Sequence, residues 1–91
     1  MTRAIQHVPE QQCFEVYEQG HRCVLNYRLQ NDLFTVMHTG VPAPVGGQGI
    51  AAELTAAALA YAKSQQFKVV PLCSYTAAYI RKHPEHQSLL A

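Results

Sequence analysis

The chain has 91 residues, a formal net charge of +1, and 48% hydrophobic residues against 14% charged ones. A chain of this size buries only about 60% of the surface that its unfolded form exposes, which excludes a multidomain enzyme and leaves one small core. Because the charges nearly balance and form no run of one sign, we predict no nucleic-acid partner.

The first half of the chain alternates like an antiparallel meander. Cys13–Glu18 is predicted as a short strand, and residues 22–30 alternate after a turn at Gly20. Apolar and aromatic side chains fall on one face of that second strand: Cys23, Leu25, Tyr27 and Leu29. Residues 33–39 form a third strand after a turn at Asn31. Its two faces are predicted to carry Phe34, Val36 and His38 on one side and Leu33, Thr35, Met37 and Thr39 on the other.

A loop, a helix and a strand follow. Pro42 and Pro44 break the strand ladder, so residues 40–45 are predicted as a loop. From 48 to 65 the period becomes helical, with an apolar stripe at Ile50, Leu54, Ala57, Ala58, Tyr61 and Ala62. The apolar residues 67–73 predict a short buried strand. Pro71 withdraws one N–H from that strand, which favours an edge, a bulge or a point where neighbouring strands diverge.

The last predicted element is a second helix over residues 75–82, capped by Ser74 and ended by Pro84. Its face toward the sheet is predicted to carry Tyr75, Ala78 and Tyr79. The order β-β-β-α-β-α predicts one α+β domain over residues 1–91, with a mostly antiparallel sheet and helices packed on it. We expect residues 1–9 and 85–91 to be loosely ordered.

The start of the chain and its cysteines favour an intracellular location. The first twelve residues lack the apolar core of a signal peptide, and no apolar stretch is long enough for a bilayer. We therefore expect a cytoplasmic protein without a membrane partner. The three cysteines, Cys13, Cys23 and Cys73, are an odd number without CxxC spacing, so no disulfide framework is expected. Cys13 and Cys23 are predicted to be small buried hydrophobic residues.

Glycines 46, 47 and 49 stand at the entrance of the first helix. The free N–H groups of a first helical turn can hold a phosphate, but such glycines can also serve only to shape the turn, and spacing alone leaves both interpretations open. A P-loop is excluded because no Gly-Lys-Ser/Thr follows. The dinucleotide fingerprint fails as well, because it needs a strand running into the turn and an acidic residue about 20 positions later.

Four short segments together resemble the GNAT acetyltransferases, and more narrowly their very small single-domain branch. They are HTGVP at 38–42, GQGIA at 47–51, VVPLC at 69–73 and AAYIR at 77–81. The resemblance covers residues 26–85. It implies a GNAT-like fold with acetyl-CoA as cosubstrate and the pantetheine arm lying between two splayed strands. It also implies a phosphate turn formed by Gly47, Gln48, Gly49, Ile50 and Ala51, with Met37, His38 and Thr39 beside the arm.

Acetyl transfer to an amine needs a base for the ammonium proton and an acid for the departing thiolate. Tyr79 stands where the superfamily often has its thiolate-protonating tyrosine, although a tyrosine there can also simply pack on the sheet. His38 is a candidate base because it titrates near neutral pH; the alternative is a histidine satisfied by a neighbouring carbonyl. Cys73 is either a nucleophile or an inert thiol lining the pocket. We favour the inert thiol and direct transfer.

The sequence departs from the family pattern at two positions. Gly46 stands where the superfamily usually has Arg or Gln, and Gly40 stands where small relatives commonly carry an acid. These departures favour the alternative function, a CoA-binding or interaction module with little or no turnover. Cys73 and Tyr79 favour the leading prediction, an acetyl-CoA-dependent N-acetyltransferase acting on an amine of a small molecule, peptide or protein lysine.

Two further predictions concern metals and assembly. A zinc site at His83 and His86 is not expected, because Pro84 interrupts the helical register between them. A sheet this small can pair with a second copy, so a homodimer is among the expected partners.

Overall fold

The computed structural model describes residues 3–91. It contains one sheet whose strands lie side by side in chain order: β1 (Gln6–Val8), β2 (Cys13–Glu18), β3 (His21–Gln30), β4 (Leu33–Gly40) and β5 (Lys68–Pro71). Helix α1 (Ile50–Ser64) connects β4 to β5, and α2 (Ser74–Lys82) and a 3-10 helix (Pro84–Leu89) follow. Neighbouring strands from β1 to β4 pair antiparallel, whereas β4 and β5 pair in parallel. The predicted α+β class and mostly antiparallel sheet are confirmed.

Strand β1 is an element that the predicted order omitted. It pairs with β2 through the register His7 to Phe14, and these two rings stack with centroids 4.2 Å apart. Three residues are too few for a period of two to be recognised in the sequence. Met1 and Thr2, which begin the segment expected to be loosely ordered, lie outside the described residues, and loose order in the rest of 1–9 and in 85–91 stays a prediction.

One hydrophobic core lies between the sheet and α1. Alternation in β2 and β3 brings side chains such as Phe14 and Leu25 to one face, and α1 covers that face with its apolar stripe. Four of the six predicted stripe positions are buried, and the other two, Ala57 and Tyr61, are partly buried against the same core. Leu59 is fully buried although it was not assigned to the stripe, and the helix residues buried here are Ile50, Leu54, Thr55, Ala58, Leu59 and Ala62.

A β-bulge in β4 changes which side chains face the core. Asn26 pairs with His38 and Tyr27 with Val36, so Met37 is an extra residue on β4. Thr39 is consequently opposite the buried Leu25 and shares its face, while His38 shares the opposite face with Asn26. The prediction that His38 lies on the face of Phe34 and Val36 is therefore wrong, because it assumed an uninterrupted strand.

Strands β4 and β5 diverge just beyond their pairing. The parallel ladder runs from Leu33 with Lys68 to Val36 with Pro71, which is the last residue of β5. The Cys73 N–H then donates to the Val36 carbonyl at 3.0 Å. Within residues 3–91, β4 pairs only with β3 from there to Gly40. Of the three settings predicted for Pro71, the structure shows two, an edge strand and a divergence of strands, and the divergence leaves the β5 side of residues 37–40 open.

Helix α2 differs from its prediction at the cap and on its buried face. Cys73 occupies the N-cap position with extended backbone, and Ser74 is already helical. The buried residues are Thr76 and Ile80, whereas Tyr75 is 40% exposed. Tyr75 therefore does not face the sheet as expected, because packing of Ile80 in the core sets the rotation of this short helix.

Candidate functional site

The loop before α1 bends through two glycines with left-handed backbone. Gly47 has φ of 76° and Gly49 has φ of 81°, a region that side chains other than glycine rarely adopt. Gly49 is also the N-cap residue of α1 and provides no side chain to cap it. A Cβ added at either glycine would meet nothing within 4 Å. The turn therefore presents bare backbone to open space.

Six successive backbone N–H groups, from Gly47 to Ala52, make no hydrogen bond of normal length and angle within residues 3–91. The preceding turn closes when the Gly46 N–H donates to Ala43, and the helical ladder starts when the Glu53 N–H donates to Gly49 at 3.1 Å. Between these two bonds the chain has donors without acceptors at the positive end of the α1 dipole. Such a set of donors suits an anion, which favours the phosphate interpretation of the glycines over a purely structural one.

The turn borders a cavity of about 240 Å³. Its walls come from the turn, from Val41 after β4, and from Tyr75 in the first turn of α2. Val41 and Tyr75 follow the two strands that diverge. The cavity therefore lies between the free N–H groups and the two segments that follow the diverging strands.

The two departures from the family pattern have different local settings. A Cβ on Gly46 would lie 3.3 Å from the Ala43 carbonyl oxygen, so a larger residue there needs a shift of the backbone turn. A Cβ on Gly40 would lie 3.2 Å from Nε2 of His38, which is the end of a movable side chain. A larger residue at position 46 therefore needs a small shift of the backbone, whereas at position 40 only a side chain has to move.

Cys73 lies where the strands diverge, and the bulge brings a hydroxyl to it. Its Sγ is 3.6 Å from Oγ1 of Thr39. The thiol makes no capping hydrogen bond, yet it lies at the head of α2 near the N–H groups of Tyr75 and Thr76. Burial raises the pKa of the Cys73 thiol, but these donors and the hydroxyls of Thr39 and Thr76 together lower it below the ordinary value.

Thr76 completes this environment. It is fully buried, and its Oγ1 lies near the Cys73 thiol but has no hydrogen-bond partner of normal geometry among the described residues. Sequence reasoning missed Thr76. It is the third residue after Cys73, the observed N-cap, whereas the predicted cap, Ser74, pointed to Ala77 instead. Thr39 was predicted beside the arm, but its contact with Cys73 was not, because that contact depends on the bulge.

Tyr79 lies in an aromatic row along α2. Its ring stacks on His83 at 4.1 Å and is 6.4 Å from the ring of Tyr75. Tyr75, Tyr79 and His83 line a second cavity of about 250 Å³, which shares Ala52 and Tyr75 with the turn cavity. The structure thus brings Tyr79 to one cavity with Ala52, in the first turn of α1, and Thr39 to Cys73. His38 is exposed on the other face of the sheet, and the catalytic roles of all three candidates stay predictions.

Two findings concern membranes and metals. Within residues 3–91, no helix is long and apolar enough to span a bilayer. In the same part of the chain, no three His, Cys, Asp or Glu side chains are grouped so that they could hold a metal ion.

Comparison with known proteins agrees with the geometry. A family model of GCN5-related N-acetyltransferases matches residues 13–89. The fold is similar to the NMR solution structure of a GCN5-like candidate N-acetyltransferase from Staphylococcus aureus, with a TM-score of 0.77 and 22% identity over 99% of this chain and 89% of that chain. The resemblance inferred from the four short segments is thereby confirmed. The chain belongs to the GCN5-related N-acetyltransferase family and is an acyltransferase.

Proposed function

We propose that the protein transfers the acetyl group of acetyl-CoA directly to an amine. The observation that carries the proposal is the run of six free N–H groups from Gly47 to Ala52. It borders a cavity whose other walls, Val41 and Tyr75, belong to the segments that follow the diverging strands β4 and β5. The pyrophosphate of CoA is the anion that fits these donors. The open side of residues 37–40 is a strand edge to which the amide groups of the pantetheine arm can pair.

In the proposed reaction the amine nitrogen attacks the carbonyl carbon of the thioester. The carbon–sulfur bond breaks, CoA leaves as a thiolate that takes up a proton, and the new amide nitrogen loses one. Tyr79 is the candidate acid, and Thr39 stands beside the proposed path of the arm. His38 stays the candidate base, but it lies on the face of the sheet opposite to Thr39. We favour direct attack over an acetyl-Cys73 intermediate, because among the described residues no histidine is hydrogen-bonded to Cys73 to activate it.

The test is a thermal unfolding series with CoA. A ligand that binds only the folded state at ten times its Kd stabilises by about 1.4 kcal/mol, which raises the Tm of so small a domain by several degrees. Gly49→Val should abolish this rise, since its side chain would occupy the space in front of the free N–H groups. Gly20→Val is the matched control: Gly20 has φ of 80° and equally open surroundings, but it lies in the turn between β2 and β3.

Both variants should lose similar stability through left-handed strain, and only Gly49→Val should lose the response to CoA. An equal response in both would place the phosphates elsewhere, and no response in the parent protein would contradict the proposal. Release of free CoA thiol from acetyl-CoA across a panel of amines then separates an enzyme from a binding module. Binding without amine-dependent thiol release would support the module instead.

A further inference from the structure

Arg3 joins three parts of the chain beside the phosphate turn. Its Nε donates to Oε1 of Glu18 on β2 at 2.8 Å, and its Nη2 donates to Oε1 of Gln48 in the turn at 3.0 Å. Its Nη1 contacts the Glu53 carboxylate and lies 3.4 Å from the Gln48 carbonyl oxygen. The backbone N–H of Arg3 donates to Glu53 at 2.9 Å. One residue near the start of the chain thus holds both the turn and the head of α1.

The charge of Glu53 makes its pairing with Arg3 important for any anion that binds at the head of α1. It lies in the first turn of α1, and its own N–H is the first to enter the helical ladder, directly after the free donors. The backbone N–H and the guanidinium of Arg3 lower the pKa of the Glu53 carboxyl, so that it is ionised at neutral pH. A carboxylate at this place stabilises the helix, but it repels a second anion at the same helix end.

We propose that Arg3 is a positioning residue of the phosphate turn, which offsets the charge of Glu53 and holds Gln48 so that the head of α1 accepts a pyrophosphate. The inference rests on the proposed function. It also assigns a cation to a turn in which Gly46 replaces the usual Arg or Gln. The Arg3 side chain is 21% exposed and its partner Glu53 24%, so solvent screens this pair only in part.

The experiment measures the Kd of CoA by calorimetry at low ionic strength. Arg3→Ala should raise the Kd about fivefold to tenfold, since Glu18 and Glu53 both lose their cation and the charge of Glu53 lies in the helical turn next to the free N–H groups. Adding Glu53→Gln to that variant should restore most of the affinity, because the charge at the head of α1 is then gone, whereas Glu18 lies on β2. The Kd of Arg3→Lys should lie between those of the parent and of Arg3→Ala. Higher salt should reduce the differences in Kd among these proteins, because it screens the charges. Where activity is measurable, the KM for acetyl-CoA should rise and kcat should stay.

Arg22→Ala is the matched control. Arg22 forms the same kind of ion pair, 2.7 Å from Glu15 on β2, away from the turn. Glu53→Gln alone covers the case in which Arg3→Ala does not fold, and it should bind CoA at least as tightly as the parent.

Three results would overturn the inference. The first is a Kd of Arg3→Ala within twofold of the Kd of Arg22→Ala. The others are a loss of CoA affinity in Arg3→Ala that adding Glu53→Gln does not restore, or weaker CoA binding in Glu53→Gln alone than in the parent. A parent protein that fails to bind CoA would instead overturn the proposed function and this inference with it.

Discussion

The three cysteines show at the scale of single residues how position decides the chemistry of one side chain. Cys13 and Cys23 are fully buried, and burial raises the pKa of both thiols. Burial acts on Cys73 as well, but the N–H of Thr76 and the hydroxyls around it outweigh that effect and lower the pKa. At neutral pH a larger share of Cys73 is therefore thiolate, which makes this cysteine the most reactive of the three.

Direct transfer predicts that this reactivity is not used in turnover. Cys73→Ala should keep most of the acetyl-transfer rate, because the amine attacks acetyl-CoA and no covalent intermediate is lost. Loss of a true nucleophile lowers turnover by orders of magnitude. The second measurement is the intact mass of the parent and of Cys73→Ala after brief exposure to acetyl-CoA without an acceptor.

The adduct chemistry separates the two mechanisms. A rapid, thiol-labile acetyl adduct on Cys73, discharged by amine at the turnover rate, would contradict direct transfer. A slow adduct found equally on Cys13 and Cys23 is ordinary thiol acylation and leaves direct transfer intact.

At the scale of elements, β1 is the shortest strand, and the side chain of His7 anchors it. Nε2 of His7 is 2.6 Å from the hydroxyl of Tyr27, and the ring stacks on Phe14. Burial raises the pKa of Tyr27 to about 12, so its hydroxyl keeps its proton throughout the neutral range. Burial also lowers the pKa of His7, although Glu10 partly opposes the effect. The folded protein therefore disfavours the charged form of the His7 ring.

This predicts a loss of stability on mild acidification. In the unfolded chain His7 titrates near its ordinary pKa of about 6.5, so the unfolded state binds the proton first. The free energy of unfolding should fall as the pH is lowered from about 7 through 6.5 toward the lower folded-state pKa. His7→Gln, which retains a hydrogen-bonding group toward Tyr27, should flatten this dependence in urea unfolding at several pH values. His21→Gln is the control, and an unchanged slope in His7→Gln would contradict the assignment.

At the scale of the whole molecule, one core carries the stability of the sheet and both helices. Phe34 lies at its centre, fully buried, with its ring 4.5 Å from Tyr27, 6.1 Å from Tyr61 and 6.4 Å from Phe67. These rings come from β3, β4, α1 and the segment before β5. Truncating Phe34 would therefore remove packing contacts of the sheet and of α1 at the same time.

Phe34→Ala should cost about 3–5 kcal/mol, a large part of the roughly 5–15 kcal/mol that holds a domain together. The neighbouring Leu33 is 40% exposed, so Leu33→Ala is the matched control and should cost less than about 1 kcal/mol. The urea midpoint measures both, with the slope of the transition unchanged. Similar losses in the two variants would contradict a single core centred on Phe34.

Much of this architecture is local and was readable in the sequence. The alternation in β2 and β3 and the helical period of α1 follow from the geometry of each element, because side chains repeat every second residue in a strand and about every 3.6 in a helix. The glycine turn was readable for the same reason, since backbone freedom and free N–H groups at a helix start belong to a few consecutive residues. The family and the phosphate turn were predicted from such local features.

The tertiary structure alone decided what those elements bring together. The bulge at Met37 arises from the pairing of β3 with β4, and it turns Thr39 toward Cys73 and His38 away. Arg3 reaches Glu53 across 50 positions of sequence. Neither contact has a local signal, because strand register and the meeting of distant side chains depend on how the whole chain buries its apolar surface. The positions of the side chains in the candidate site are therefore set by packing, whereas its backbone is set by sequence.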